Sequence, residues 1–508
     1  MNSMRVYGIK RNGSSRLEYS YTVECEWSRF FEPDKLMWVE YSRPVDSVPD
    51  SVAVIPLIGN VIVLASIVDA DIYVDELDRD FYESIPEFIN GFEEIMPDHV
   101  HFKHGEIVHA DKLIDNPLSD TEHEENLLFF SGGVDANFSL LTHLAERPAL
   151  VTVWGADIPW DNKTNWENAL KFNHEVAEKN GLDMLIIHSN FRKALNNDNL
   201  EEFSMELVND WWWSAFHHSV AMMCLAAPLA LNRASRLYFG STHSAKDLKE
   251  WGSYVLASDP KIDNKVRFCG CQVVHDGYEF SRYDKIKHIC EYYGDKKDKP
   301  YLRVCYLSNT GRNCGICEKC ASAIMAINIA GGNPADYGFS YDPRELPRYF
   351  AAGLQENCRI EKFDALSLYK DVQTAYRNKY SIQEVPPELK AFYMLDLDII
   401  VDFLHVPNNE LIARDKAARD HEHHLYDEIG QIKYWSGVKL KESEARAERL
   451  ARELEAANAR KKELNEEKKV LKKQKADLEE RLREMYRSNS WKLTRPLRYV
   501  KDVLGRRK

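Results

Sequence analysis

The 508-residue chain has no uninterrupted apolar run of the ~20 residues that a membrane-spanning helix requires. Its longest, Val52–Val68, carries no charge but is broken up by Pro56, Gly59 and Asn60. That run reads as two buried strands turning at Gly59-Asn60. The N-terminus, Met1-Asn-Ser-Met-Arg-Val-Tyr7, has no apolar stretch of the kind a secretory leader carries. Positive charge is not in excess: 67 Lys and Arg stand against 81 Asp and Glu, a net charge of −14, which argues against general nucleic-acid binding by the body of the protein. Cysteine is sparse, with 10 residues. Without a leader these read as thiols or metal ligands, not disulfides. The expected compartment is the cytoplasm.

What is present suits a globular protein of two or more domains, with 44% hydrophobic and 11% aromatic residues. Residues 1–118 read as a β-rich accessory domain, with strands at Arg5–Lys10, Leu17–Glu24 and Met37–Tyr41 beside the Val52–Val68 pair, and a helix at Phe81–Ile95. No chemical motif lies there. Residues 119–335 alternate strand and helix, which predicts a parallel sheet covered on both faces. Its strands are Leu127–Phe130, Leu150–Trp154, Met184–His188 and Arg236–Gly240, with a long apolar helix over Leu207–Asn232. Ligands in such sheets sit beyond the carboxyl ends of the strands. That rule gathers Ser131–Asp135, Trp154–Asp157, His188–Asn190 and Gly240–His243 around one crevice.

The stretch that organises the chain is Asn126-Leu-Leu-Phe-Phe-Ser-Gly-Gly-Val-Asp135, a buried strand running into a glycine turn and then a helix. Glycines let the backbone approach an anion, and a helix N-terminus aims N–H groups and its dipole at it. A second signal is Cys305-x8-Cys314-x2-Cys317-x2-Cys320. Four thiolates so spaced make a closed, tetrahedral zinc site, with Cys305 arriving from a preceding strand. An iron–sulfur cluster is the chemical competitor. Cys269-Gly-Cys271 lacks further ligands nearby and reads as two buried thiols. Of Trp211-Trp212-Trp213, at least one is expected to line a cavity or interface, since three adjacent rings cannot face one way. His217 and His218 read as core or surface residues.

Ser131, Gly132, Gly133 and Asp135 resemble the Ser-Gly-Gly-x-Asp-Ser loop of the PP-loop ATP pyrophosphatase superfamily, with Ala136 in place of its last hydroxyl residue. The four-cysteine spacing, with Asp284-Lys285 shortly before it, is similar to that of 7-cyano-7-deazaguanine synthases. The resemblance covers about residues 124–330. It implies a Rossmann-like parallel sheet of the adenine nucleotide α-hydrolase kind, and an AMP-forming ligase of the carbon–nitrogen type that uses ATP, Mg²⁺ and Zn²⁺. Ser131–Gly133 would hold the pyrophosphate, Asp135 would position Mg²⁺, Lys285 would offset phosphate charge, and adenine would lie at Trp154. The synthases' substrate-recognition stretch is not recognisable in Gly240–Gly252. The expected activity is therefore adenylation of a carboxylate on a small molecule still to be identified. The alternatives are a 7-cyano-7-deazaguanine synthase proper and a non-catalytic nucleotide-binding scaffold. Sulfur transfer to tRNA fits poorly with the acidic charge and with cysteines committed to metal.

Residues 336–437 read as a helical appendage broken by prolines. From 438 to 486, Leu450, Ala457, Leu464, Leu471, Leu478 and Met485 recur every seven residues. They predict a coiled coil, joining copies of this chain or a partner, weakened by Lys461, Lys468 and Lys475 at its other seam position. From Arg487 onward, eight Lys and Arg face one acid, Asp502. With Trp491, Leu493, Leu497 and Tyr499 they form a basic amphipathic tail suited to a membrane surface. Ser490–Arg498 resembles the tail that follows coiled coils in bacterial surface-polysaccharide glycosyltransferases. This implies a place in polysaccharide biosynthesis at the inner face of the cell membrane.

Overall fold

Short, wholly apolar runs become the central strands because both faces of a parallel sheet are buried. The computed structural model describes residues 2–33, 35–118, 126–246, 256–305, 308–346, 364–395 and 397, and most of 456–484. Its strands are β1 (Asn2–Asn12), β2 (Arg16–Glu24), β3 (Met37–Tyr41), β4 (Ala70–Asp78), β5 (Val108–Ile114), β6 (Leu127–Phe129), β7 (Ala149–Trp154), β8 (Met184–Ser189), β9 (Arg236–Gly240), β10 (Arg267–Phe268) and β11 (Cys271–Asp276). They form one mixed sheet in the order β10-β11-β9-β6-β7-β8-β3-β2-β1-β4-β5. The block β8-β7-β6-β9-β11 is parallel throughout. Numbered along the chain its order is 3-2-1-4-5, so the winding reverses between β6 and β9. Crevices for ligands open at such reversals.

Alternate residues on these strands enter separate cores. Leu127, Phe129, Val151, Ile187 and Phe239 belong to one, while Leu128, Phe130, Leu150 and Tyr238 belong to another. The helices α1 (Asp50–Ala53) and α2 (Ile55–Ile67) are buried in the first, and α3 (Arg79–Ile95) packs one face into it through Phe81, Ile85, Phe88 and Phe92. Ala136 and Leu140 of α4 (Val134–His143) and Val176 and Ala177 of α5 (Lys163–Asn180) lie in the second.

Three expectations are corrected. Val52–Val68 is not a strand pair but the helices α1 and α2, buried along almost their whole length. A run that is apolar on every side has no period to distinguish helix from strand, and Pro56 falls in the first turn, where a missing N–H costs nothing. Gly59 is the contact point: a Cβ there would lie 2.2 Å from the Cβ of Cys224. Gly59→Ala is expected to destabilise the protein by about 1–3 kcal/mol in denaturant titration, through overpacking. Second, the first 118 residues share the sheet of the region that follows. β3 pairs antiparallel with β8, Val39 opposite Ser189 and Tyr41 opposite Ile187, and the Tyr41 hydroxyl donates to the Leu225 carbonyl at 3.0 Å. Third, Leu207–Asn232 is not one helix. Asn209 is left-handed at φ 54°, Trp213–His217 forms a single π turn, and short helices follow at His218–Leu225 and Ala227–Ala230.

Residues 1–406 form one compact unit and 407–508 another. Within the first, Tyr369, Val372 and Tyr376 of the Asp364–Lys379 helix share a core with Ile324 and Ile327 of the Glu318–Ile329 helix. Short helical turns lie at Pro343–Glu345, Pro387–Leu389 and Lys390–Met394, while 347–363 and 398–437 lie outside the described residues. In the second unit, residues 458–470 are helical and mostly exposed. Much of the heptad segment, and all of the tail from 487, lie outside the described residues. Among those described, no helix is long and apolar enough to cross a membrane.

Candidate functional site

β6 stops at Phe129 because the chain must leave the sheet at Ser131-Gly132-Gly133 to enter α4. Gly132 takes φ 78°, open to glycine at little cost, and a Cβ there would meet the Asn173 Oδ1 at 2.6 Å. Every carbonyl of this turn is tied. Phe130 O accepts from Thr152 Oγ1 at 2.8 Å and Asn173 Nδ2 at 2.9 Å. Ser131 O accepts from Arg303 Nε at 3.0 Å. Gly132 O accepts from the Arg303 amide at 2.9 Å and Asn137 Nδ2 at 3.1 Å. Gly133 O accepts from Asn137 Nδ2 at 2.8 Å. The first amides of a helix have no acceptor within it, so those of Val134 and Asp135 are left for an outside anion. The Ser131 hydroxyl is exposed and accepts from the Gly133 amide at 3.3 Å.

Asp135, in the first turn of α4, meets two cations from the Arg282–Tyr293 helix. Its Oδ2 lies 3.0 Å from Arg282 Nη1 and its Oδ1 lies 3.5 Å from Lys285 Nζ. The Lys285 side chain is 1% exposed and that of Asp135 is 16%. Lys285 also donates to the Ser241 carbonyl, in the loop after β9. Burial pulls the Lys285 ammonium below its ordinary value, and Asp135 pulls it partly back. Asp284 does no such work. It completes a capping box with Ser281, accepting from the Ser281 hydroxyl at 2.8 Å. Gly240 brings β9 against α4: a Cβ there would lie 3.1 Å from the Asp135 carbonyl carbon.

Trp154 ends β7, next to the turn, and sits in an aromatic cluster. Its ring is 4.2 Å from Trp160 and 5.3 Å from Trp166, stacked on the latter at 6°, with His188 edge-on at 5.4 Å. Gly155 follows at φ 95°, where a Cβ would strike the Ser189 carbonyl at 1.8 Å. A polar group lies beyond the same strand ends. Asp157 accepts from Trp213 Nε1 at 2.9 Å and lies 4.0 Å from His218 Nε2, while the Arg192 guanidinium sits 4.2 Å over the Trp213 ring. Trp213 also lines a small cavity with Asn60, Ser189 and Met222, which matches the expectation for the tryptophan run. His217 is a core residue. It hydrogen-bonds Asn60 at 3.1 Å, and burial pulls it down to about 3, so it is neutral.

Cys305, Cys314, Cys317 and Cys320 converge, their sulfurs all within 4.8 Å of one another. Cys314 to Cys320 and Cys305 to Cys317 are each 3.9 Å. A tetrahedral ion with Zn–S bonds of ~2.3 Å requires sulfurs ~3.8 Å apart, so the cluster could hold a single metal ion such as zinc. The spacing leaves no room for the several iron and sulfide ions of a cluster core. Hydrogen bonds led by Cys314 hold the Cys305 thiol far below its ordinary value. The amides of Ile316 and Cys317 already point at the Cys314 sulfur, at 3.4 and 3.3 Å, as a bound thiolate requires. Cys305 arrives not from a strand but from a segment, residues 301–305, that is neither helix nor strand. Cys269 and Cys271 are buried thiols as expected, both pushed up by burial.

The structure therefore brings Ser131, Gly132, Gly133, Asp135 and Lys285 together, with Trp154 on the adjacent strand. Arg282, Asn137 and Arg303 join them without a sequence signal. No protein-family model matches the chain, and no curated protein or solved structure matches it either.

Proposed function

We propose that this chain is an ATP-dependent, AMP-forming enzyme of the PP-loop kind that activates a substrate carboxylate by adenylation. The observation that carries the reading is the turn Ser131–Gly133. Its carbonyls are all fastened, which holds the turn in place, the first amides of α4 have no acceptor within the helix, and Asp135, Lys285 and Arg282 stand beside it. The 3-2-1-4-5 strand order supports a Rossmann-like assignment, with the turn at the reversal. In this reading the loop amides and the Ser131 hydroxyl take the β- and γ-phosphates. A carboxylate oxygen attacks the α-phosphorus, the bond to the bridging oxygen breaks, and pyrophosphate leaves with its charge offset by Lys285 and Arg282. Ammonia or another nucleophile then displaces AMP from the acyl carbon. Mg²⁺, held by Asp135 once that carboxylate gives up its contact with Arg282, would supply further neutralisation of phosphate charge. Zinc on the four cysteines has a structural part only.

Adenine is assigned to the Trp154 side of the crevice. Stacking on an indole is worth ~1–3 kcal/mol per base, so Trp154→Ala is expected to weaken ATP binding by about 10- to 100-fold in calorimetry. The tail's resemblance to polysaccharide glycosyltransferases suggests an acidic sugar or sugar-linked substrate. Incubation with ATP, Mg²⁺ and candidate acids, with and without ammonia, should release pyrophosphate. Tight binding without AMP from any acid sinks the reading. A nucleotide-binding scaffold is the second reading, favoured by the two cations that already occupy Asp135.

A further inference from the structure

Between Tyr301 and Cys317 the described chain forms neither helix nor strand, so its own backbone gives it little to hold it in place. Yet this segment grips both walls of the turn. Arg303, two residues before Cys305, donates its amide to Gly132 O at 2.9 Å and its Nε to Ser131 O at 3.0 Å. Asn313, one residue before Cys314, accepts from the amides of Val304 and Cys305 at 3.1 and 3.3 Å, and donates to Leu302 O at 2.8 Å. The two cysteine-bearing stretches are thus laced to each other around Arg303. Between them, Thr310 O accepts from Asn168 of α5 at 2.9 Å, and a Cβ on Gly311 would lie 2.6 Å from the Asn165 carbonyl oxygen. Tyr301 stacks on Phe172 of α5 at 3.9 Å. The next residue of α5, Asn173, holds Phe130 O.

We propose that the four-cysteine site is a clasp on the anion-binding turn: metal occupancy fixes Arg303 against the Ser131 and Gly132 carbonyls, and so sets the order of the turn. Arg303 is then a positioning residue, acting through the loop backbone and not on a ligand. A tetrahedral ion fixes four points of a segment that has no ladder of its own, and in such sites binding free energy is folding free energy. The consequence for nucleotide affinity rests on the PP-loop reading, whereas the coupling of metal to loop does not.

The test is amide hydrogen exchange in peptides covering 129–138, on the full-length protein loaded with zinc and after stripping with a chelator. Stripping should speed exchange there about tenfold, the scale of losing two ordinary hydrogen bonds, and restored zinc should reverse it. Arg303→Ala keeps the main-chain bond and loses the side-chain one. With zinc content unchanged it should show part of the same increase, and Arg303→Lys, which can still donate, should show less. Stripping Arg303→Ala should add less than stripping does in the parent chain. Unchanged loop exchange in zinc-loaded Arg303→Ala overturns the proposal, even if stripping unfolds the whole domain. So do effects of variant and stripping that simply multiply. ATP affinity measured on the same samples should fall in parallel. Failure of the untreated protein to bind ATP would refute the nucleotide reading and leave the exchange result to judge the clasp.

Discussion

Asp135→Asn is expected to lower AMP formation by about 10²- to 10³-fold, with zinc content and secondary structure unchanged. The substitution keeps shape and removes one charge. Asp135 is the carboxylate that both Arg282 and Lys285 face, and the acid nearest the turn's free amides. Without it the turn loses the carboxylate best placed to hold a divalent cation, and the buried Lys285 loses its principal counter-charge. Lys285 should then titrate at lower pH still. Its folded value already lies below the ordinary 10.5, so protonated Lys285 is lost as pH rises through that lowered value. Activity that needs the cation should fall on this alkaline limb in the parent protein, and the limb should move to lower pH in the variant. The stability cost is expected at about 1–3 kcal/mol, since Lys285 keeps the Ser241 carbonyl. Equal AMP formation by parent and variant would favour the scaffold reading.

Cys317→Ser is the second large effect, and it falls on stability. Cys317 precedes the Glu318–Ile329 helix and lies 3.9 Å from the Cys305 sulfur. The variant should lose stoichiometric zinc in metal analysis. If the site is normally filled with metal a thousandfold above its dissociation constant, the lost linkage is about 4 kcal/mol. In a unit spanning residues 1–406 that lowers the melting temperature by about 5 °C. The loss should reach the Asp364–Lys379 helix, which shares the core of the cysteine-bearing segment. Equal melting of parent and variant, both without metal as isolated, would contradict a structural metal site.

The legible parts of the fold were those whose signal is local. The four central strands are apolar on both faces, and their ends fell within one residue of expectation. The Ser131–Asp135 turn and the convergence of the four cysteines were legible for the same reason, since each geometry is written within a few residues. Val52–Val68 was not, because a segment buried on all sides offers no period. The pairing of β3 with β8 joins residues almost 150 positions apart, and nothing in either strand names its partner. Arg282 and Arg303 were missed on similar grounds. A single arginine is no motif, and Arg303 reaches the turn across 172 residues of sequence. Asp284 shows the converse limit of a motif. A pair that looked chemical divides its labour, with Asp284 capping a helix and only Lys285 reaching the site.

The central claim is that ATP is split between its α- and β-phosphates. Phosphorus NMR of the full-length protein with ATP, Mg²⁺ and a panel of sugar acids measures this directly. AMP and pyrophosphate should appear in equal amounts, only with the matching acid, and Asp135→Asn should slow the formation of both by about 10²- to 10³-fold. ADP with inorganic phosphate, or products that appear equally in the variant, would contradict it.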